Sequence, residues 1–346
     1  MKRKFYLLFI VLIFLLGACN KKNGRDNELK ITLIREIGVE TAKTTEEEPY
    51  QFSVIHSIDC DDEGNIYVLD GKENCVKVFD KNGKFLKKLF REGRGPQEII
   101  NAYKIVINKF TGNLFVLQEY GFQLKEFEPS GKFIKLYPLP EQILYHFDFI
   151  DKKRFLYISG ERPGESIYNN FKIINLETMK IEKEFASVKR ESIVNAPMRF
   201  IVINGTLWTC PGDEMKLVAY DLNSGEEKKS VEIGEKYRKS KILRGPNWVR
   251  LVLYNYAQPI LINNKIHVLL AKFEYFMDDT IEAVHTPKSQ RFFLYLFDKG
   301  YLKFKKELKE ISEKERISLG TVWQNRLIFY RQEPYPVIKI LEIKEN

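Results

Sequence analysis

Two arginines stand in the same tripeptide, Arg94-Gly95-Pro96 and Arg244-Gly245-Pro246. Glycine lets a chain turn where a side chain would obstruct it, and the planar arginine fork pairs well with carboxylates and phosphates. Arg94 and Arg244 are therefore candidate ligand-binding residues; as mere linkers they would present a solvated arginine. A second pattern is acidic. Asp59, Asp61, Glu63, Gly64 and Asp70 match most of a calcium-loop spacing, but such a loop needs flanking helices, and residues 54–58 and 66–69 read as strands. A hairpin turn is the better reading. The four histidines, His56, His146, His267 and His285, sit in no motif, and no Gly-x-Ser-x-Gly, His-Glu-x-x-His or phosphate-cradling glycine loop occurs. Cys60, Cys75 and Cys210 lack the paired spacing of metal ligands and read as structural thiols. No metal and no cofactor is expected.

The elements that position these residues announce themselves as a repeat. Gly64-Asn65-Ile66-Tyr67-Val68-Leu69 returns as Gly112-Asn113-Leu114-Phe115-Val116-Leu117, and Phe79-Asp80-Lys81-Asn82-Gly83-Lys84-Phe85 returns as Phe127-Glu128-Pro129-Ser130-Gly131-Lys132-Phe133, each pair 48 positions apart. Short alternating strands repeating at that period are the mark of propeller blades. Blades are expected at residues 54–90, 102–138, 145–185, 198–233 and 257–308, followed by three strands at 317–323, 326–330 and 337–343. The missing strand of the sixth unit is expected from residues 30–37, which would close the ring and cover an open sheet edge. The expected fold is all-β: a six-bladed β-propeller of four-stranded antiparallel blades, its last blade closed by an N-terminal strand.

The run Asp61-Asp62-Glu63-Gly64-Asn65-Ile66-Tyr67-Val68-Leu69-Asp70, with Val78-Phe79-Asp80-Lys81-Asn82-Gly83-Lys84 and Gly93-Arg94-Gly95-Pro96-Gln97-Glu98, resembles NHL-type repeats. The whole chain is similar to six-bladed propeller lipoproteins of Gram-negative bacteria. That resemblance implies a fold and names no activity. Some six-bladed propellers are calcium-dependent lactonases or lyases with ligands lining the channel, so a channel-metal-dependent hydrolase or lyase stands as the alternative to a binding module.

Loop lengths separate the two faces of such a ring. The turns between strands one and two, and three and four, are tight. The other connections are longer, at residues 160–170, 235–254 and 272–290, so a binding site is expected on their face. Aligning the first strands brings His56, Lys104, His146, Arg199 and Gln258 to one level at that face, a polar and partly cationic rim suited to an anionic ligand.

Residues 1–19 read as an address. Lys2-Arg3-Lys4 precedes an apolar run from Phe5 to Leu16, and Leu16-Gly17-Ala18-Cys19 resembles a bacterial lipobox, which implies acylation of Cys19. Residues 20–28 form a polar tether and residues 29–346 the propeller. Asn20 stands where inner-membrane lipoproteins carry aspartate, so the outer membrane is expected; Lys21 and Lys22, where surface-exported lipoproteins of some lineages carry acidic runs, make the periplasmic side the default, with surface exposure as the alternative. The formal net charge is +9; loss of Lys2, Arg3 and Lys4 brings the mature chain to about +6, spread without a basic block, which argues against a nucleic-acid partner. The expected partners are the membrane, through the N-terminal lipid, and a protein or small molecule held on the long-loop face without catalysis.

Overall fold

The computed structural model describes residues 29–143, 146–160, 168–189, 199–211, 215–233, 241–244, 249–275, 287–311 and 317–345. The leader, Cys19, the tether and Gly245-Pro246 lie outside them. Strand β1 (Leu29–Ile37) comes first, then blade one: β2 (Ile55–Cys60), β3 (Ile66–Asp70), β4 (Cys75–Phe79) and β5 (Phe85–Leu89). Blade two is β6 (Lys104–Ile107), β7 (Leu114–Gln118), β8 (Gln123–Phe127) and β9 (Phe133–Pro138). Blade three is β10 (Phe147–Phe149), β11 (Arg154–Gly160), β12 (Tyr168–Asn175) and β13 (Lys180–Lys189). Blade four is β14 (Phe200–Ile203), β15 (Thr206–Thr209), β16 (Lys216–Asp221) and β17 (Glu227–Glu232). Blade five holds β18 (Lys241–Arg244), β19 (Val249–Ile262), β20 (Lys265–Tyr275), β21 (Pro287–Asp298) and β22 (Tyr301–Glu307). Blade six is β23 (Ile317–Trp323), β24 (Arg326–Arg331) and β25 (Val337–Glu345), with β1 as its outermost strand.

Each blade is an antiparallel sheet paired in this order, so the expected six-bladed propeller is the observed fold. Tight turns close on left-handed glycines such as Gly83, at φ 82°, and Gly131, at φ 92°. Blade five departs from the four-strand pattern. The stretch 235–254, expected as a loop, contains β18 and the first part of β19, and Lys241–Arg244 pairs with Val249–Leu253. β20 also runs to Tyr275 before β21 returns at Pro287, so this blade extends beyond its neighbours on the long-loop side.

The hydrophobic core is divided among the seams between blades. A sheet exposes two faces, and each blade buries both only by packing against the blades on either side. Six clusters result, one for each seam. Leu69, Val76 and Val78 of blade one meet Ile105, Leu114 and Phe127 of blade two. Leu156 and Phe171 of blade three meet Phe200 and Leu207 of blade four. The last seam joins Ile328, Ile338 and Ile340 of blade six to Ile55, Val68 and Phe79 of blade one.

Strand β1 serves two of these seams. Its pairing with β25 slips between Leu33 and Arg35, leaving Ile34 as an extra residue. An extra residue reverses the alternation of the strand. Leu29 and Ile31 consequently pack into the seam between blades five and six, while Ile37 packs into the seam between blades six and one. Without the slip, all three would face the same way.

Polar side chains tie the connections to the blades. On the third strands, Lys77, Lys125 and Lys172 recur at matching places. Lys77 Nζ donates to Gln51 O at 2.6 Å, Lys125 Nζ to Gly95 O at 2.8 Å and Glu98 O at 2.6 Å, and Lys172 Nζ to Glu141 Oε2 at 2.8 Å. Asp70, fully buried, accepts from Ser53 N at 2.8 Å and Val54 N at 3.2 Å and lies 3.6 Å from the Lys77 ammonium. Removing one member of a buried ion pair strands the other, so Asp70→Ala is expected to cost about 3 kcal/mol of folding stability, read as a fall in the urea midpoint. A midpoint unchanged from the parent would show that this pair contributes nothing.

Candidate functional site

The first strand of every blade faces the central channel. Successive first strands touch one another, β2 with β6 and β23, β14 with β19, and β19 with β23. They enclose a cavity of about 110 Å³ lined by Asp59, Lys104, Lys109, His146, Asp148, Arg199 and the segment from Leu319 to Val322. Lys104 opens β6, and His146 and Arg199 immediately precede β10 and β14. These three side chains, from three blades, thus stand at the long-loop end.

Arg199 spans the channel. Its Nη1 donates to Gly320 O at 3.0 Å, and its Nη2 donates to Leu319 O, both on the first strand of blade six. The pairing of β23 with β24 slips at this place, between Leu319 and Thr321. A bulge leaves backbone groups outside the ladder, and here a guanidinium takes them up. A Cβ on Gly320 would lie 3.0 Å from Ile58 Cβ and 3.1 Å from Ile328 O, so the bulge is also tightly packed.

Of the two carboxylates, Asp59 ties the ring together. Asp59 accepts from Ile107 N at 2.8 Å, Thr321 Oγ1 at 3.1 Å and Cys60 N at 2.9 Å, joining blades six, one and two. Asp148 accepts from Phe149 N at 2.8 Å. Burial raises the Asp148 pKa while the nearby Lys109 ammonium opposes that rise, and Asp148 in turn is the main cause of the raised Lys109 pKa.

The remaining groups are differently placed. Burial, reinforced by the Arg199 charge, lowers Lys104 from 10.5 to about 8. Burial and the charges of Lys104 and Arg199 hold His146 well below its ordinary value, so its imidazole is neutral at pH 7. The His146 ring meets Phe200 edge-on, centroids 4.8 Å apart. Among the described residues, neither Lys104 Nζ nor the His146 ring makes a hydrogen bond. With His146 neutral, three cations face two carboxylates. Among the described residues the cavity lining thus leans cationic, which suits an anionic group.

Of the rim read from sequence, Lys104, His146 and Arg199 come together in the cavity, and His56 and Gln258 do not line it. Pairing of β2 with β3 slips between Ile55 and Ser57, leaving His56 exposed with Nδ1 3.0 Å from Ala102 O. Gln258 is buried, its Nε2 without a hydrogen bond among the described residues, while Pro259, Ile260 and Leu261 line the cavity for blade five. Arg94 is exposed and paired with Glu119 Oε1 at 3.1 Å, outside the cavity. Its tripeptide works as a connector, Gly95 N donating to Glu98 Oε2 at 2.9 Å and Gly95 O accepting from Lys125. Arg244 ends β18 opposite Val249 rather than lying in a loop, and only its backbone is described.

Asp59, Lys109 and Asp148 were missed in the sequence. Asp148 had a signal: a lone acid between Phe147 and Phe149 in a first strand can avoid both aromatic seams only by facing the channel. The calcium-like spacing dissolves, because Asp59 faces the channel, Asp61 caps its own turn through Asn65 N at 2.8 Å, and Asp70 is committed to Ser53 and Lys77. Cys60, Cys75 and Cys210 are buried free thiols, and burial pushes Cys75 up to about 12.

Because folding lowers the Lys104 pKa, the unfolded chain binds more protons between about pH 8 and 10.5, and the contribution of this group to stability rises with pH across that window. Lys104→Met is therefore expected to be more stable than the parent at pH 7, with the difference shrinking towards pH 10.5, as followed by thermal unfolding through the series. A difference independent of pH would contradict the assignment.

Solved structures share this fold. A member of the DUF4221 family from Bacteroides vulgatus superposes with TM-score 0.63 at 12% identity, covering 92% of this chain and 99% of that one. A predicted exported protein of Bacteroides fragilis gives 0.57 at 10% identity, covering 92% and 96%. A chain of the mitotic checkpoint complex gives 0.51 at 10% identity, covering 93% and 94%. At these identities the likeness is one of fold alone. No curated protein matches the chain. A family described as a domain of unknown function, DUF4934, matches residues 55–335, from the start of β2 to the connection before β25, and the chain belongs to that family.

Proposed function

We propose that this protein is a lipid-anchored propeller of the bacterial cell envelope that binds a partner protein or small ligand on its long-loop face without catalysis. The observation that carries the reading is the convergence of Lys104, His146 and Arg199 at the long-loop end of the channel, the side chains of Lys104 and His146 making no hydrogen bond among the described residues. A channel-metal-dependent hydrolase or lyase would need several donors about one point. Among the described residues no group of three or more His, Cys, Asp or Glu is so arranged, and Asp59 is fully engaged with its neighbours.

The envelope placement rests on the leader ending at Cys19, and the exported Bacteroides neighbour agrees with it. Asn20 favours the outer membrane, and Lys21 and Lys22 in place of an acidic run favour its periplasmic side. The register of β1 is also compatible: Leu29 pairs with Glu345 at the tight-turn end of blade six. A lipid on Cys19 would join the ring away from the channel mouth.

Metabolic labelling with palmitate is expected to mark the protein and to be lost in Cys19→Ser, with the variant moving from the membrane to the soluble fraction. Label retained in the variant would refute the anchor. For the binding face, photo-crosslinking residues placed at Gln97 and Tyr120 on the long-loop side are expected to give discrete adducts in cells. The same residues at Ser130 and Lys153 in the tight turns are expected to give none. Adducts confined to the tight-turn positions would overturn the reading.

A further inference from the structure

We infer that the outer edge of blade five, around Tyr301 and Phe304 on β22, is a docking surface for an anionic lipid bilayer, the membrane that would hold the Cys19 lipid. The inference rests on the lipid-anchor reading and says which side of the ring the anchor draws down. Three observations lead to it. The first is aromatic surface on an outermost strand. Tyr301, at 72%, is the most exposed large hydrophobic side chain among the described residues, and Phe304 is 55% exposed. The Phe304 ring is braced from the blade, 5.6 Å from Tyr295 and 6.4 Å from Phe293. Aromatic side chains, and tyrosine above all with its apolar body and polar tip, settle at the level of lipid headgroups.

The second observation is charge. Residues 298–310 carry five lysines against Asp298, Glu307 and Glu310, a net charge of +2. Lys299, Lys303 and Lys309 are exposed. Lys303 pairs with Asp298 at 3.1 Å, at the surface, where such a pair is readily exchanged for another partner. The outermost strand of blade four adds the same sign: Lys229 Nζ lies 2.8 Å from where a Cβ on Gly300 would stand, beside the turn that leads into Tyr301. Lysines around exposed aromatic rings complement anionic headgroups.

The third is the place where the chain leaves the ring. Lys306 Nζ, on β22 itself, donates to Leu29 O at 2.7 Å, so the start of β1 lies against this strand. Leu29 is ten residues beyond Cys19, a span of at most about 36 Å when fully extended. A bilayer holding a lipid on Cys19 lies within that reach of β22. Such confinement raises the effective concentration of the membrane at the patch, so a contact too weak to hold a free protein is occupied. Because β22 is the outermost strand of its blade, contact there rests the ring on its rim and leaves the long-loop mouth of the channel uncovered.

Spin labelling of the full acylated chain in vesicles tests this. Flotation with phosphatidylcholine vesicles reports the anchor alone. Nitroxides on Tyr301→Cys and Phe304→Cys, read by collision with a water-soluble nickel chelate, report the surface; the native Cys60, Cys75 and Cys210 are buried. Ile134→Cys, exposed on β9 of blade two across the ring, is the control. When about one-third of the phosphatidylcholine is replaced by phosphatidylglycerol, nickel accessibility is expected to fall about threefold or more at both β22 positions and to stay level at the control. The fall is expected to vanish at about 0.5 M salt, where such attraction is screened. It is also expected to vanish when Lys299→Gln, Lys303→Gln and Lys305→Gln are combined. Labels on β22 that respond no more than the control, or protection indifferent to both salt and phosphatidylglycerol, would overturn the inference while the anchor stands. A chain that fails to float would refute the anchor, and the inference with it.

Discussion

The structure depends on closure. Each blade has two apolar faces and can bury both only against neighbours, so six seams must exist or two faces remain wet. The final seam is built by residues more than 250 positions apart, Ile338 and Ile340 against Ile55 and Phe79. β1 makes that closure secure by covering the edge of β25 and sending side chains into the seams on both sides of blade six. Its one extra residue, Ile34, is what allows a single strand to serve both.

Closure also creates the site. A first strand taken alone presents one or two polar residues to solvent; six of them drawn together confine their side chains in a narrow channel. Repulsion and desolvation follow at once, and the lowered pKa values of Lys104 and His146 are their signature. Asp59, satisfied by groups from two neighbouring blades, and Arg199, reaching to blade six, turn potential strain into bonds across the ring. The same residues that make the channel polar therefore also fix the relative positions of the blades.

How far the sequence was legible varied along the chain. Blades one and two repeat nearly residue for residue, and their strands fell close to where the pattern put them. Lys104, His146 and Arg199 were found because their first strands could be aligned on the following turn. His56 was misplaced by a slip in β2, and Gln258 by the drift of blade five, where the inner strand is lengthened and has an extra partner in β18. One displaced residue reverses a strand's faces. Arg94 illustrates a different limit: its tripeptide looks like a recognition element, but its glycine amide and carbonyl are consumed by Glu98 and Lys125.

The sequence by itself determined the repeat, the blade count and the need for an N-terminal strand, because a period-two pattern of apolar residues is local and survives in one dimension. Only the tertiary structure decided which polar residues meet. Asp59 finds Thr321 and Arg199 finds Gly320 across distances no spacing encodes, since those contacts depend on bulges, on the curvature of the ring and on which faces the seams have already claimed.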